Sequence, residues 1–368
     1  MKTRIGILTG GGDCPGLNAV TRAVVLAAAQ RGWTTFGFLG GFDALLNPMR
    51  TRVLDENDMD GMLYLGGTVL GTANQGRFAA KVGHGEARQI DPAILAEAKG
   101  NFDKLGLRAL VVVGGDGSLS IAHQCFEAGI PVIGVPKTID NDLAGTMVTF
   151  GFDTAVAFAT DALDRLRTTA QSHRRVMVCE MMGRYAGWIA LHAGISGGAD
   201  VILIPEILFN YDTVCAKIMQ REQDGKYDSL VVVAEGAREK GHDFVTLETP
   251  AAGQGPDGGA FRETRLGGVA TQVAEEIQKR TGKQTRVCVL GHLQRGGIPT
   301  SFDRLLCTRF GVGAVRLIAE EKFGLMVAHR PPDTLGIPIT EAIGKLRTVP
   351  PDCDITRTAR ALGITFGD

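Results

Sequence analysis

Short apolar runs alternate with helix-length segments along almost the whole chain, and this alternation restricts the possible folds more than any other feature. The runs predict strands at residues 4–8, 34–38, 109–113, 132–135, 176–179, 201–204, 230–233 and 286–290. The segments between them predict helices at residues 17–31, 92–105, 119–128, 154–169, 187–194, 211–224, 269–281 and 303–321. Several runs are apolar almost throughout, which is typical of parallel strands covered on both faces. We therefore predict a doubly wound α/β fold with mainly parallel sheets.

Two segments fall outside this alternation. The Gly- and Pro-rich stretch of residues 239–268 predicts an exposed loop or an insertion. The chain after Arg330 contains two Pro-Pro pairs, and we expect this tail to wrap over the surface.

Charge and composition exclude several classes of protein. Lys and Arg number 39 and Asp and Glu number 40, so the formal net charge is −1 and there is no broad basic surface for nucleic acid. No apolar run reaches the ~18 residues that a membrane-spanning helix needs, and no signal peptide is visible. The seven cysteines contain no Cys-x-x-Cys pair, so we expect reduced and mostly buried thiols. We predict a cytoplasmic protein that binds neither nucleic acid nor membrane.

Six of the predicted strands end in turns that contain Gly, Asp or Arg. The turns are residues 9–16, 114–118, 136–142, 180–184, 235–236 and 291–297. Ligands of open parallel sheets bind outside the carboxyl ends of the strands, so we expect these turns to build a binding site. Glycine accounts for 50 of the 368 residues, roughly twice its usual share of ~7%. This excess fits turns in which the backbone approaches a ligand closely.

Two of these turns are typical of phosphate binding. The three glycines at residues 10–12 lie between a strand and a helix, where backbone N–H groups and a helix N-terminus can hold an anion. The Gly-Gly-Asp-Gly-Ser turn at residues 114–118 adds a carboxylate, which phosphates would repel unless a cation such as Mg²⁺ lay between them. Taken singly, the first can equally be a tight turn without a ligand, and Asp116 can cap the following helix. Together the two turns favour the phosphates of a nucleotide.

The remaining chemistry lies in one acidic turn and a set of arginines. Residues 137–142 place two carboxylates and a lysine together, and such a carboxylate can accept a hydroxyl proton near a metal-bound phosphate. Alone, this segment is more typical of an Asx-rich turn, and any single arginine is more typical of a surface ion pair. As a set, guanidinium groups bind phosphorylated ligands through paired contacts. The arginines in or beside the turns or at strand starts are Arg77, Arg175, Arg184, Arg286 and Arg295. The residues alone indicate Mg²⁺–phosphate chemistry, with phosphoryl transfer as the leading class.

In their order along the chain, these motifs resemble those of the 6-phosphofructokinase family over nearly the full length. The motifs that carry the resemblance are Gly10-Gly11-Gly12-Asp13-Cys14-Pro15-Gly16-Leu17-Asn18, Gly114-Gly115-Asp116-Gly117-Ser118, Pro136-Lys137-Thr138-Ile139-Asp140-Asn141-Asp142, Met182-Gly183-Arg184 and Gly291-His292-Leu293-Gln294-Arg295-Gly296-Gly297. The form of the first motif and the long insertion are most similar to the mixed-substrate group, whose members use ATP or pyrophosphate.

The resemblance implies a fold of two Rossmann-like three-layer lobes, with the active site in the cleft between them. Residues 1–140 and 294–345 would form the lobe that binds the donor, ATP. Residues 141–293 and 346–368 would form the lobe that binds fructose 6-phosphate. It also implies self-association as a homotetramer or homodimer with an active site shared between subunits, into which Arg175 and Arg286 reach from a neighbouring subunit.

The resemblance further implies the glycolytic transfer of the terminal phosphoryl group of ATP to the 1-hydroxyl of D-fructose 6-phosphate. Asp140 would be the base, Thr138 and Arg184 would steady the transferring group, and Asp116 would hold Mg²⁺. The residues implied to bind the donor are Gly11, Gly12, Arg77, Phe78, Gly115, Asp116, Gly117 and Ser118. The residues implied to bind the sugar phosphate are Thr138, Ile139, Asp140, Arg175, Met182, Gly183, Arg184, Glu235, Arg286, His292, Leu293, Gln294 and Arg295.

Two positions bear on the choice of phosphoryl donor. Gly117 leaves space for the α-phosphate of a nucleotide, which the Asp of pyrophosphate-using relatives would fill. Lys137 favours pyrophosphate instead, because an ammonium group can hold the free end of pyrophosphate. A carboxylate obstructs ATP outright, whereas a flexible Lys can swing aside, so we predict ATP.

Three alternatives stay open: a pyrophosphate-dependent phosphofructokinase, a catalytically silent nucleotide-binding regulatory subunit, and a dinucleotide-dependent dehydrogenase. The silent subunit would need a lost base or metal ligand, yet Asp140 and Asp116 are both present. The dehydrogenase is disfavoured because Pro15 occupies the last glycine position of the G-x-G-x-x-G pattern.

Overall fold

The computed structural model describes residues 2–73, 76–78, 89–248 and 264–368. Its strands are β1 Arg4–Thr9, β2 Thr34–Phe38, β3 Thr51–Leu54, β4 Leu107–Gly114, β5 Val132–Pro136, β6 Val176–Met181, β7 Val201–Leu203, β8 Ser229–Ala234, β9 Thr246–Glu248, β10 Thr264–Leu266, β11 Thr285–Val289, β12 Leu325–Arg330 and β13 Asp333–Pro338. Its helices are α1 Leu17–Ala29, α2 Pro92–Lys104, α3 Asp116–Glu127, α4 Phe152–His173, α5 Trp188–Ser196, α6 Tyr211–Gln223, α7 Val269–Thr281, α8 Ser301–Ala319, α9 Ile339–Ala342 and α10 Asp354–Ala361. The predicted α/β fold with mainly parallel sheets is confirmed.

The chain divides into two compact units. The first contains Met1–Thr154 and Arg295–Leu346, and the second contains Ala155–Gln294 and Arg347–Asp368. Which unit binds the donor and which binds the sugar phosphate stays a prediction. None of the helices in the described part of the chain is long and apolar enough to cross a membrane.

The first unit is built on a seven-stranded sheet in the order β13-β12-β5-β4-β1-β2-β3. Its five central strands run parallel, and β3 and β13 are antiparallel edge strands. Helices α2 and α3 pack on one face of the sheet, where Phe102 and Leu119 join Leu110 and Val112 in a buried cluster. The chain leaves β1 towards β2 and returns on the other side at β4. The carboxyl ends of β1 and β4 are therefore the topological switch point, where α/β proteins bind their ligands.

The second unit contains a four-stranded parallel sheet in the order β11-β6-β8-β7. Val178 of β6 and Val231 of β8 pack with Ile218 of α6 and Ile277 of α7 in one buried cluster. The end of the chain joins this unit, because Ile202 donates its backbone N–H to the Thr365 carbonyl at 2.9 Å. The sheet places the ends of β6, β8 and β11 beside one another.

Both segments that fall outside the alternation contain regular structure. After Arg330 the chain forms β13, which pairs antiparallel with β12, and then α9 and α10. The Pro331-Pro332 pair lies in the turn between the strands, where a missing N–H donor costs no ladder bond. In the expected loop at residues 239–268, β9 and β10 pair antiparallel, and residues 249–263 lie outside the described part of the chain.

Candidate active site

The turns that follow β1 and β4 pack directly against each other at the switch point. Gly10 donates its N–H to the Val113 carbonyl at 2.9 Å. A Cβ atom at Gly10 would lie 2.8 Å from Ser118 Oγ, so no larger residue fits there. Gly11 has a φ of 78°, a left-handed conformation that glycine adopts without steric cost. The close approach of the two turns therefore requires glycine at residue 10, and the predicted approach of these glycines to a ligand stays a prediction.

Helix α3 begins earlier than the sequence suggested. It starts at Asp116 rather than at residue 119, after Gly115 in an extended N-cap conformation. Asp116 and Gly117 therefore lie in the first turn of the helix, where the N–H groups have no intrahelical partner. An acidic residue is favourable there because of the helix dipole. The earlier start brings a helix N-terminus, a common anion-binding element, to the end of β4.

The Lys137 side chain is buried between these turns, with a relative exposure of 4%. Its ammonium group donates to the carbonyl oxygen of Gly12, and its backbone N–H donates to the Gly114 carbonyl at 3.0 Å. Burial lowers the pKa of Lys137, and the charge of Arg295 acts in the same direction. A lysine that is already desolvated beside two glycine turns is suited to contact phosphate oxygens.

Asp140 lies in the loop that leaves β5, and this loop is held rigidly. Asp140 donates its backbone N–H to Thr138 Oγ1 at 3.1 Å, and Thr149 Oγ1 donates to the Thr138 carbonyl at 2.7 Å. Asn141 adopts a left-handed φ of 53° and accepts a hydrogen bond from Thr149 N. The Asp140 side chain is 4% exposed, and its Oδ1 atom has no hydrogen-bond partner among the described residues. A buried carboxylate oxygen without a partner is costly, which is typical of a group kept available for a ligand.

Arg295 lies beside the first glycine turn. Its Nη1 atom donates to the Asp13 carbonyl at 3.2 Å, and a Cβ atom at Gly12 would come within 2.7 Å of the same nitrogen. The structure thus brings Arg295 together with Gly12 and Lys137. Its role in binding the sugar phosphate stays a prediction.

The Arg77–Phe78 segment is tied to this unit by a residue that the sequence analysis missed. Asp43 accepts the backbone N–H groups of Arg77 at 3.0 Å and Phe78 at 3.2 Å. The Phe78 ring packs on Phe42, with centroids 5.5 Å apart. Arg77 forms an ion pair with Glu97 at 2.8 Å. Nothing in the sequence near Asp43 indicated this role, because it depends on contacts between distant segments.

In the second unit, the turns after β6 and β8 hold the next group of predicted residues. Met182 donates its N–H to the Gln294 side chain at 2.8 Å, and Arg184 donates its N–H to Glu235 Oε1 at 2.9 Å. Gly183 has a φ of 142°, and a Cβ atom there would lie 2.5 Å from the Ala186 carbonyl. The structure thus brings five predicted residues together, through backbone N–H groups that donate to the side chains of Gln294 and Glu235.

The other predicted residues of this unit lie before β6, on β11 and in the turn that follows β11. Arg175, before β6, donates from Nε to Gln284 at 3.0 Å. Arg286 is exposed on β11, and it donates to the Thr285 carbonyl at 2.7 Å. His292 and Leu293 are exposed in the 3₁₀ turn that follows β11.

Glu180 is a second residue that the sequence analysis missed. It is buried at the end of β6 and accepts the N–H groups of Gly268 and Ala270 at the start of α7. Its carbonyl accepts the Leu290 N–H at 3.0 Å. Glu180 therefore fixes β6, β11 and α7 around the predicted site. The sequence signal that could have identified Glu180 is a glutamate within an otherwise apolar strand.

The residues present fit a magnesium ion bound together with phosphates. In the described ranges there is no group of three or more His, Cys, Asp or Glu side chains that could hold a metal. Mg²⁺ does not require such a cage, because it commonly binds one or two carboxylates, phosphate oxygens and waters. Asp116 offers one carboxylate at the phosphate-type turn, and its Oδ1 accepts the Gly344 N–H at 3.0 Å.

The fold and these turns define a phosphate-binding α/β protein with its ligand groups at the carboxyl ends of parallel strands. A family model described as phosphofructokinase matches residues 4–318. The chain belongs to the phosphofructokinase family, and the resemblance noted in its motifs is confirmed.

Full-length relatives differ in the donor that their names give. An ATP-dependent 6-phosphofructokinase from Chloroflexus aurantiacus is 51% identical over 367 residues, which is 100% of this chain and 98% of the relative. A pyrophosphate–fructose 6-phosphate 1-phosphotransferase from Amycolatopsis methanolica is 48% identical over 350 residues, 95% of this chain and 97% of the relative. The structure of phosphofructokinase from Saccharomyces cerevisiae matches with a TM-score of 0.78 and 30% identity, over 92% of this chain and 45% of the yeast chain.

Proposed function

We propose that this protein transfers the terminal phosphoryl group of ATP to the 1-hydroxyl of D-fructose 6-phosphate, giving fructose 1,6-bisphosphate and ADP in glycolysis. The observation that carries the proposal is the environment of the Asp140 side chain. Asp140 is a buried carboxylate with an unpartnered oxygen, in the same unit as two glycine turns and a buried lysine. Relatives with full-length identity near one half carry the name of this activity.

The donor phosphates would bind at the switch point of the first unit. Gly11, Gly12 and Gly115 leave room for a close approach of the backbone, and the N-terminus of α3 offers unpaired N–H groups. Asp116 would hold Mg²⁺, which neutralises phosphate charge during transfer. Gly117 and Ser118 belong to the same helical turn, and Arg77 with Phe78 would line the rest of the donor.

The sugar phosphate would bind to groups at the ends of β6, β8 and β11. The residues in this role are Met182, Gly183, Arg184, Glu235, His292, Leu293, Gln294 and Arg295, with Arg175 and Arg286 from a neighbouring subunit. Arginine binds phosphate oxygens in a bidentate manner, and a carboxylate such as Glu235 accepts hydrogen bonds from sugar hydroxyls. The protein would then act in the cytoplasm as a homotetramer or homodimer.

Asp140 would accept the proton of the 1-hydroxyl while Thr138 and Arg184 steady the transferring phosphoryl group, and Ile139 would line the acceptor beside them. General-base catalysis requires a carboxylate within hydrogen-bond reach of the proton that it takes. The hydrogen bonds around Thr138 and Asn141 fix the loop that carries Asp140. The residues of this loop would therefore hold Asp140 in position, and Asp140 would accept the proton.

The test replaces Asp140 with Asn, which is nearly isosteric but a much weaker base. We expect the formation of fructose 1,6-bisphosphate to fall by roughly a hundredfold or more, the usual scale for removal of a general base, with the KM for fructose 6-phosphate little changed. Asp103→Asn on α2, which removes only an exposed ion pair with Lys99, is the matched control and should keep full activity. Near-normal turnover of Asp140→Asn would remove Asp140 from this role.

The pyrophosphate-dependent alternative is favoured by one specific observation, the buried Lys137 ammonium group beside Gly12. In that case pyrophosphate rather than ATP would be the efficient donor. A silent nucleotide-binding subunit would show no product with either donor while still being stabilised thermally by ATP. A dehydrogenase would be stabilised by NAD and not by ATP.

A further inference from the structure

Two cysteines lie directly opposite each other on neighbouring strands of the second unit. Cys179 of β6 pairs in register with Cys288 of β11. Paired residues of parallel strands point to the same face of the sheet, and neighbouring strands lie ~4.8 Å apart. A disulfide joins Cα atoms that are about 4.4–6.8 Å apart. The backbone therefore already holds this pair at a separation that a disulfide bridges.

The two thiols differ in exposure and in acidity. Cys288 is partly exposed on β11, the edge strand, whereas Cys179 is buried. The hydrogen bond between the two side chains lowers the pKa of Cys288 against the effect of burial. The same interaction, together with burial, raises the pKa of Cys179. One partly exposed and more acidic thiol next to one buried thiol is the arrangement of an attacking and a resolving cysteine.

Two other buried cysteines differ from this pair in the acidity of their thiols. Burial raises the pKa values of Cys125 and Cys14 to about 12. Thiols of this kind stay protonated at neutral pH and react slowly. The Cys179–Cys288 pair is therefore distinguished by its register and by its position at an edge.

We propose that Cys179 and Cys288 form a redox pair that closes to a disulfide when a peroxide is the oxidant. The Cys288 thiolate attacks one peroxide oxygen, the O–O bond breaks, and the departing hydroxide takes up a proton to leave as water. Cys179 then attacks the sulfur of the Cys288 sulfenic acid, the S–O bond breaks, and its thiol proton leaves with the oxygen in a second water. In total, two thiols are oxidised and one hydrogen peroxide is reduced to two waters.

The disulfide would affect the turns that follow both strands, and this part of the inference rests on the proposed function. Strand β6 continues into Met182–Arg184, and β11 continues into the turn with His292. A covalent link between the strands restricts their movement relative to each other where these proposed acceptor groups begin. The expected consequence is weaker binding of fructose 6-phosphate, with donor binding unaffected.

The direct test is a peptide map of the folded, full-length protein after treatment with hydrogen peroxide. Free thiols are alkylated before digestion. Trypsin cleaves after Arg175, Arg184, Arg286 and Arg295, so the two cysteines fall on separate peptides, residues 176–184 and 287–295. We expect one cross-linked species, whose mass is that of the two peptides together minus the two thiol hydrogens. This species should disappear after treatment with dithiothreitol. If Cys288 is instead recovered alkylated, or oxidised to the sulfinic acid without the cross-link, the proposal is wrong.

Variants separate this pair from general oxidation. Cys288→Ser and, independently, Cys179→Ser should abolish the cross-linked species, whereas Cys353→Ser, which removes another partly exposed thiol, should leave it unchanged. Peroxide should raise the KM for fructose 6-phosphate of the unmodified protein by roughly tenfold, because small displacements of binding groups have effects of up to ~100-fold. The Cys288→Ser protein should not respond. An equal loss in Cys288→Ser would contradict the proposed effect on binding.

The peptide map does not depend on catalysis. A protein that forms the cross-link but makes no fructose 1,6-bisphosphate before oxidation would contradict the proposed function and support the redox pair. A protein that makes fructose 1,6-bisphosphate but forms no cross-link would support the proposed function and contradict the redox pair.

Discussion

The Glu235 carboxylate accepts a hydrogen bond from the backbone N–H of Arg184 at 2.9 Å, and this bond joins the turns after β8 and β6. Arg184 has a φ of 52°, a left-handed conformation that costs a non-glycine residue about 1–3 kcal/mol. A Cβ atom at Gly236, next to Glu235, would overlap the Arg184 carbonyl. The surrounding turn thus holds Arg184 in one backbone conformation, from which its exposed side chain can reach a phosphate.

The first prediction concerns this bond. Glu235→Ala removes the acceptor of the Arg184 N–H, and we expect the KM for fructose 6-phosphate to rise by about 10- to 100-fold, since a hydrogen bond to a charged group contributes about 1.5–3 kcal/mol. Glu235→Gln keeps an acceptor oxygen and should have a smaller effect. The KM for ATP should not move in either variant. An unchanged KM for fructose 6-phosphate in Glu235→Ala would show that Glu235 does not support this site.

The second prediction concerns pH and Asp303 at the start of α8. Burial raises the pKa of Asp303 from 3.8 to about 6, although Thr154 donates two hydrogen bonds to Oδ2. A raised pKa means that the folded protein holds the proton more tightly than the unfolded chain. The stability from Asp303 is therefore fully present below about pH 4 and is lost as the pH rises through about 6.

Asp303→Asn keeps an acceptor for Thr154 and cannot ionise. We expect the Tm of the unmodified protein to fall relative to that of Asp303→Asn as the pH rises from about 4 to about 6.5, by a difference of order 2 kcal/mol in unfolding free energy. Calorimetry of both proteins over this range is the measurement. Two parallel Tm profiles would show that Asp303 does not titrate in this window.

The third prediction concerns donor selectivity at Gly117. An Asp at this position in the first turn of α3 is compatible with the helix, because acidic residues are favourable there. Gly117→Asp should lower kcat/KM for ATP by roughly a hundredfold, since a carboxylate both fills the space beside the α-phosphate and repels it. Any use of pyrophosphate should fall far less.

Gly117→Asn is the control for charge at nearly the same volume. If the steric effect dominates, Asn should lower ATP use nearly as much as Asp. Full ATP activity in both variants would show that Gly117 does not line the nucleotide.

The fourth prediction concerns a site shared between subunits. Arg286 is exposed on β11, an edge strand, and is proposed to reach a neighbouring subunit. Arg286→Ala and Asp140→Asn proteins should each be weakly active, and mixing them under conditions of subunit exchange should restore part of the activity. No recovery, with exchange demonstrated by mass, would place both residues in the site of one chain.

The sequence predicted the central strands well because they are buried and apolar on both faces. Strand β4, for example, extends the expected run at residues 109–113 to Leu107–Gly114. The edges were harder to predict. Strand β3 has exposed Arg52 and Val53, so its pairing with β2 is visible only in three dimensions, and β13 lies in a Pro-rich segment that resembles a loop.

At the candidate site, the sequence identified groups that recur in local motifs and missed those that act at a distance. Gly10 and Lys137 lie in short patterns with a direct chemical meaning. Asp43 and Glu180 act by accepting backbone N–H groups from residues far along the chain. A glutamate within an apolar strand marks Glu180 as unusual, but no local pattern identifies the partners of Asp43 or Glu180, because these contacts depend on how the segments pack.

The most direct test of the account compares the initial rates of the unmodified protein with ATP and with pyrophosphate, at saturating fructose 6-phosphate and Mg²⁺. The lack of a side chain at Gly117 and the ability of Lys137 to contact either donor predict fast formation of fructose 1,6-bisphosphate with ATP and slow formation with pyrophosphate. A clear preference for pyrophosphate would contradict ATP as the donor and would make the buried Lys137 the deciding residue. No product with either donor would contradict phosphoryl transfer to fructose 6-phosphate altogether.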